Sequence, residues 1–283
     1  MGGINSNLVV STVFHAYWNF VFKKTTGGIF FMWLFTVMTT VLYLPFVFLH
    51  ISSFEIFLKP ATAIICMISL LFHLLYFICL DKAYCFGELS VIYPVARGVA
   101  PAMTVIGALL LLDERLTRPQ LLSIALIIAG TFLLSGMKEN MTKNHRKALG
   151  YALLCGCTVS AYTLIDKTAV ATFFIAPFIL DFVNNVGRTL VLMPVVLKDV
   201  TRLKDTARCY WKEAMIVGIL SPFSYLMILF AMRHIPVSIV APLRQFSIVI
   251  SYMLGIHMLF EHRDYKKLLA IALMFCGVIL ISI

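Results

Sequence analysis

The sequence predicts an all-α integral membrane protein of ten spans arranged as two inverted five-helix repeats, and three observations carry that expectation. First, 61% of its 283 residues are hydrophobic and 13% charged, with a mean hydropathy of +0.96, outside the range of soluble domains. Second, the apolar residues fall into runs of roughly 20, the length that crosses a bilayer as helix. Third, the second half repeats the first: Glu114 and Glu261, Ala125 and Ala272, Gly130 and Gly277, and Ser135 and Ser282 are each 147 residues apart, while Pro94 and Pro242 are 148 apart. A fixed offset over several residue types marks a duplicated unit.

Taken in order, the spans are expected at about 6–23, 29–49, 60–80, 88–111, 118–136, 147–166, 173–197, 212–232, 237–260 and 266–283. The connections between them are short, and the longest polar stretches are Lys138–Lys147 and Lys198–Lys212. The division is therefore 1–137 for the first repeat, 138–146 for a hinge loop and 147–283 for the second repeat. Five spans is an odd number, so the second repeat enters the membrane in the opposite sense. Inverted repeats of this kind are the architecture of alternating-access carriers built around a cavity near the midplane.

The fourth and ninth spans share an unusual design. Ser90-Val91-Ile92-Tyr93-Pro94-Val95-Ala96-Arg97-Gly98-Val99-Ala100-Pro101 leads through an apolar run to Asp113-Glu114, and Ser238-Ile239-Val240-Ala241-Pro242-Leu243-Arg244 leads to Glu261. Pro94, Gly98, Pro101 and Pro242 are read as helix breaks or hinges. Arg97 and Arg244 each follow a proline within one turn, and an arginine at membrane depth costs about 2.5–3.5 kcal/mol on insertion scales. A substrate carboxylate or phosphate compensates them through the planar guanidinium, or an internal partner such as Asp166 or Asp181 does, or the side chains snorkel to the interface.

Other polar residues interrupt the spans. His15 and Asn19 lie four apart beside Trp18 on the first helix, and Tyr93, Tyr162, Asn185 and Arg188 complete the candidate substrate-binding set. Asp181 with Asn185, and Asn184 with Arg188, give the seventh span two adjoining polar faces. Asp166 and Asp181 are candidate proton carriers. Glu114 and Glu261 lie just beyond apolar runs and just ahead of helix starts, where Thr117-Arg118-Pro119-Gln120 reads as a capping box and Asp264 as a cap. They are assigned structural roles.

These patterns resemble a known family. Val91-Ile92-Tyr93-Pro94-Val95-Ala96-Arg97-Gly98, Leu112-Asp113-Glu114-Arg115-Leu116 and the closing Gly130 segment, with their second-half counterparts, are similar to the EamA branch of the drug/metabolite transporter superfamily. His15-Ala16-Tyr17-Trp18-Asn19 and Ala161-Tyr162-Thr163-Leu164-Ile165-Asp166-Lys167 resemble a bacterial subgroup, some members of which are associated with phosphonate utilisation. Gln245 departs from that subgroup, where an acidic residue is expected. The resemblance implies a secondary transporter in the bacterial inner membrane, an exporter of a small polar, anionic or zwitterionic metabolite, acting as a monomer or homodimer.

The function classes narrow accordingly. A net charge of +10 does not point to nucleic acid, because the basic residues lie in short segments between apolar runs. The three basic connections of the second half place the 138–146 hinge in the cytoplasm and both termini outside; the resemblance implies the reverse. The seven cysteines lack zinc-ligand or disulfide spacing, and no cofactor or metal is expected. Enzyme motifs such as H-E-x-x-H, G-x-S-x-G or a phosphate loop do not occur. The partners are a small-molecule substrate and membrane lipids. A flippase for a lipid-linked anionic headgroup is the alternative function, and a non-transporting assembly subunit is a third.

Overall fold

A computed structural model of the chain describes residues 2–25, 28–49, 59–86, 89–135, 143–245, 247, 250 and 265–281. Among the described residues the helices are, in chain order, α1 Gly2–Lys24, α2 Gly28–Leu49, α3 Pro60–Phe86, α4 Leu89–Leu111, α5 Arg118–Ser135, α6 Lys143–Ala171, α7 Pro177–Val196, α8 Val200–His234, α9 Val237–Leu243 and α10 Tyr265–Ile281. No strand occurs among the described residues. The stretches Gly28–Leu49, Pro60–Leu80, Arg146–Ala171 and the continuous Pro177–His234 are long and apolar enough to cross a membrane. Large apolar side chains such as Phe48, Met67 and Leu190 are exposed on these helices, which suits a hydrocarbon solvent better than water.

Several elements depart from the sequence reading, each for a local reason. The polar stretch 198–212 is not a loop: a 3₁₀ turn at Leu197–Asp199 leads into α8. It contains no glycine or proline, and Asp199 accepts a hydrogen bond from the Arg202 backbone N–H at 2.9 Å, a helix-starting contact. The helix kinks at Tyr210, whose φ/ψ of −128°/21° is not helical. Pro94, Gly98 and Pro101 do not break α4, which is helical throughout; membrane helices tolerate proline where neighbouring helices and side chains cover the freed carbonyls. Asp166 and Lys167 do not end the sixth span, since α6 runs on to Ala171. At its other end α6 begins at Lys143, inside the expected hinge loop. The ninth span, expected over 237–260, is helical over Val237–Leu243, turns at Arg244 and Gln245 and is helical again at 247 and 250, while 246, 248, 249 and 251–264 lie outside the described residues.

Two compact units divide the chain, one comprising Met1–Leu70 with Thr168–Arg233, the other Leu71–Lys167 with His234–Ile283. Neither coincides with a sequence half. The first unit is held by α2, which contacts α7 and α8. Trp33 Nε1 donates to the Thr189 carbonyl at 3.1 Å and the Thr39 hydroxyl donates to the Gly218 carbonyl at 2.8 Å. Ser11 and Ser224 each donate a hydroxyl to the other's carbonyl, at 2.9 and 3.0 Å, tying α1 to α8. Phe31 and Phe35 fill the space beside Val21, Ala214 and Val217. Trp33 is thus a helix-to-helix donor.

The second unit is organised around α4, which packs on α5 and α9. A Cβ on Gly98 would approach the Phe132 ring of α5 to 3.2 Å, and one on Gly156 of α6 would meet Val99 of α4 at 2.7 Å. Small residues allow such approach where no water drives helices together. The closest pairing is α5 with α10. A Cβ on Gly130 would meet the Ala270 carbonyl at 2.7 Å and Met274 at 2.6 Å; one on Gly277 would meet the Ser123 carbonyl at 2.8 Å and Ile127 at 2.7 Å. The contacts run in opposite directions along the two helices, which are therefore antiparallel. They are also reciprocal at the repeat offset, since Ser123 and Ala270, like Ile127 and Met274, are 147 apart. Ser123 reinforces the seam by donating its hydroxyl to the Gly277 carbonyl at 2.6 Å.

Gly130→Leu and Gly277→Leu are each expected to destabilise the protein by about 1–3 kcal/mol or more, the usual cost of overpacking. Gly150→Ala, where a Cβ meets nothing within 4 Å, is expected to be neutral or stabilising by up to about 1 kcal/mol. Thermal unfolding in detergent checks the contrast.

Candidate functional site

The first unit concentrates its buried polarity on α7. Pro177 opens this helix directly after Ala176, an extended residue, and proline suits that first position because its missing N–H would be unpaired there anyway. One turn later Asp181, 3% exposed, accepts a hydrogen bond from the Tyr43 hydroxyl at 2.6 Å. Asn185 Nδ2 donates to the Asp181 carbonyl at 2.8 Å, and its Oδ1 accepts from Arg188 Nη2 at 2.8 Å. Arg188 Nε also donates to the Asn184 carbonyl at 3.3 Å. Asn184 Nδ2 donates to the Ser69 hydroxyl of α3 at 3.0 Å. The i,i+4 pattern read from the sequence thus becomes a ladder along one helix, with Tyr43 and Ser69 added from α2 and α3.

On α1, His15 packs edge-on against Trp18, with ring centroids 5.0 Å apart. Trp18 Nε1 is buried and has no hydrogen-bond partner among the described residues. The side chain of Asn19 lies outside the described residues.

The second unit holds two polar sites. His73 Nε2 of α3 lies 3.1 Å from Asp166 Oδ2 of α6, with Asp166 fully buried. The Tyr162 ring, one turn before Asp166, stacks on the imidazole at a centroid distance of 3.9 Å and 20°. Tyr76 meets Tyr162 edge-on at 6.2 Å.

The other site is the start of α9. The end of α4 closes with the Glu114 N–H donating to the Ala108 carbonyl at 3.2 Å across Asp113, whose φ of 51° is left-handed. The helix thus stops at a left-handed residue, with an aspartate in the place usually taken by glycine. It delivers Glu114 to the amino end of α9. Its carboxylate accepts the Val237 N–H at 2.8 Å, the Ser238 N–H at 3.0 Å and the Ser238 hydroxyl at 2.5 Å. Unpaired N–H groups and the positive end of the helix dipole favour a carboxylate there. Lys167 donates to the preceding Ile235 carbonyl at 3.0 Å. The Thr117 N–H donates to Gln120 Oε1 at 2.9 Å, half of a capping box at the start of α5.

Arg244 is half-buried at the end of α9, its backbone N–H bonded to the Val240 carbonyl at 3.1 Å. The adjoining Gln245 is 5% exposed and its Oε1 is buried with no hydrogen-bond partner among the described residues. Pro101 and Pro242 are buried within α4 and α9. The side chains of Tyr93, Pro94 and Arg97, and Glu261 and Asp264 altogether, lie outside the described residues. No group of three metal-ligating side chains occurs among the described residues.

His73 and Tyr43 went unread in the sequence. A histidine in the middle of the third span was a sufficient signal for the first, because ionisable residues at membrane depth mark functional sites. Tyr43 carried no such signal: it resembles any tyrosine near a span end.

Comparison with known proteins finds a family similarity over the second half. Residues 146–283 match a family model. That family is the EamA-like transporters. The EamA-like segment carries α6 to α10, including Asp166, Asp181, Asn185, Arg188 and Arg244. No curated protein is detectably similar to the chain in sequence. Among 29 solved chains that match in fold, one crystal structure superposes with a TM-score of 0.73 at 14% identity, over 99% of this chain and 96% of its own. With the EamA match and its exposed apolar helices, the chain is a multi-pass membrane protein.

Glu114→Ala is expected to destabilise the protein by about 1–3 kcal/mol, the cost of leaving buried donors unpaired. Ser238→Ala, which removes one of three donors, is expected to cost less. Tyr43→Phe takes the hydroxyl from Asp181 and is expected to cost about 1.5–3 kcal/mol, as for hydrogen bonds to charged groups. Thermal unfolding of the purified variants measures all three.

Proposed function

We propose that the chain is an EamA-type secondary carrier that exports a small polar, anionic or zwitterionic metabolite by alternating access. The observation that carries this reading is the match of residues 146–283 to a transporter family, on a helical scaffold whose apolar spans bury Asp166, Asp181, Asn184 and Asn185. The ten spans are read as two inverted five-helix repeats, of residues 1–137 and 147–283, in the bacterial inner membrane. The antiparallel, reciprocal packing of α5 on α10 supports inversion, because equivalent helices related by an axis in the membrane plane must run oppositely. So does the pairing of α2 with α7, whose contacts Trp33 to Thr189 and Tyr43 to Asp181 also run in opposite directions.

Arg97 and Arg244 are the proposed receptors for the anionic part of the substrate. His15, Trp18, Asn19, Tyr93, Tyr162, Asn185 and Arg188 complete the proposed binding set. The buried Trp18 Nε1 of the first unit and the buried Gln245 Oε1 of the second have no hydrogen-bond partner among the described residues, and each by itself favours a nearby polar molecule over sealed packing, since an unmet group costs about 1–3 kcal/mol. Amino acids and phosphonates are the substrate classes proposed first, the latter from the resemblance of the 15–19 and 161–167 segments to the phosphonate-associated subgroup.

The test is thermal unfolding of the purified protein against amino acids, phosphonates, phosphorylated metabolites and phospholipid headgroups. Ligand that binds the folded state raises its apparent stability, by about 2.7 kcal/mol at a hundredfold excess over Kd. Stabilisation by one anionic class, lost in Arg97→Ala and Arg244→Ala, is the expected result. Stabilisation by lipid headgroups alone would replace the carrier with a flippase.

A further inference from the structure

The junction of α7 and α8, within the first unit, carries an exposed basic face. The continuous stretch Pro177–His234 has 58 residues, and at about 1.5 Å per residue it exceeds the roughly 30 Å hydrocarbon core more than twice over. It therefore divides into two spans and a segment between them, and the polar residues 197–212 are that segment. They include five basic side chains, Lys198, Arg202, Lys204, Arg208 and Lys212, against two acidic ones, Asp199 and Asp205.

The helix sorts these residues by face. Leu203, Thr206, Ala207 and Tyr210, spaced three and four apart, are buried or half-buried, and Tyr210 meets Phe31 edge-on at 6.2 Å. That side is turned to the protein. Val200, Lys204 and Arg208 follow one another at intervals of four and form a separate row, exposed throughout. Just past the kink at Tyr210, Trp211 and Lys212 are exposed as well, with the ammonium 5.6 Å from the indole centroid. Neighbouring helix ends lie at the same level. The Arg202 guanidinium sits over the Phe30 ring at 5.0 Å, at the start of α2, and Phe22, 5.6 Å from Phe31, brings up the end of α1, which closes with Lys23 and Lys24.

We propose that this face binds the phosphate groups of anionic phospholipids in the adjoining leaflet, with Lys204, Arg208 and Lys212 as the principal contacts. The proposal is independent of the carrier reading and needs only that the chain lie in a membrane.

Two observations choose a lipid over a soluble anion or an acidic protein. The first is that exposed apolar side chains accompany the basic row: Leu197 at 50%, Val200 at 44% and Trp211 at 52%. A face turned to bulk water gains nothing from them. The membrane interface takes up both kinds, with apolar groups and indoles at the acyl boundary and cationic groups at the phosphates. The second is position. The row lies where two spans meet, and Lys212 directly precedes the turns in which Ala214 and Val217 join the packed core, so long cationic stems there reach the headgroup level. Among the described residues none of Lys204, Arg208 and Lys212 is in a salt bridge. Their charge is available to an outside anion, and the attraction weakens with salt, as it does for exposed charges.

The test uses the full chain in nanodiscs of phosphatidylglycerol and phosphatidylcholine in equal parts, with brominated tails on one lipid at a time. Bromine quenches indole fluorescence on contact, and the difference between each protein and its Trp211→Phe counterpart isolates the signal of Trp211. In wild type at low salt, quenching by the brominated anionic lipid is expected to exceed that by the brominated neutral lipid at least about twofold. The excess is expected to fall as salt is added, and to vanish when Lys204→Gln, Arg208→Gln and Lys212→Gln are combined. Equal quenching by the two lipids in wild type overturns the proposal and leaves the face to water or to a soluble acidic partner. An excess that salt does not lower, or that survives in the triple variant, overturns the assignment to these three charges. The wild-type comparisons decide even where the variant fails to fold. Inorganic phosphate, added against chloride of equal ionic strength, separates the two sources of the anionic group. An excess that phosphate leaves in place is expected; one that phosphate abolishes marks a site for the free anion and overturns the lipid assignment.

Discussion

In a bilayer no water is available to a stranded polar group, so each buried donor and acceptor must find its partner within the protein. That constraint accounts for more of this structure than apolar packing does. Apolar side chains have no preference between lipid and protein, and they are exposed in quantity on α2, α3 and α4. What distinguishes the inward faces is paired polarity: serine to serine between α1 and α8, tyrosine to aspartate between α2 and α7, histidine to aspartate between α3 and α6. Each contact fixes which helix lies beside which, and at what height.

The same constraint sets the ends of helices. Glu114 serves the amino end of α9 because α4 terminates through a left-handed Asp113, which redirects the chain by one residue. A carboxylate at that point replaces the water that a soluble helix would use. The polar residues adjoining this site, Lys167 and Ser238, are therefore part of the scaffold, and Glu114 contributes by position where Arg97 and Arg244 are proposed to contribute by charge.

How much of this could be read from the sequence depended on the range of the interaction involved. The span at 29–49 became α2 at Gly28–Leu49, and 118–136 became α5 at Arg118–Ser135, because a run of apolar residues bounded by glycine, proline or charge is a local property. The early turns of α8 are missed for the same reason: Val200–Cys209 is polar and reads as a loop, although it holds no glycine or proline to stop a helix. The seventh span's polar face was legible as i,i+4 spacing. Its partners Tyr43 and Ser69 were not, being 138 and 115 residues from Asp181 and Asn184. His73 and Asp166 are 93 residues apart, and nothing in the linear order joins them.

The α5–α10 seam has a further consequence. Both helices present the same surface, with Gly130 and Gly277 each received by the other's equivalent positions, so the contact is isologous in the sense used for two-fold symmetric dimers. A dimer of identical chains must alter both sides of such an interface at once. A single chain carrying both copies is free of that restriction: Ile127 can differ from Met274, and Ser123 from Ala270, as they do here. The seam records a symmetry that the chain no longer has to obey, and each side is open to separate specialisation.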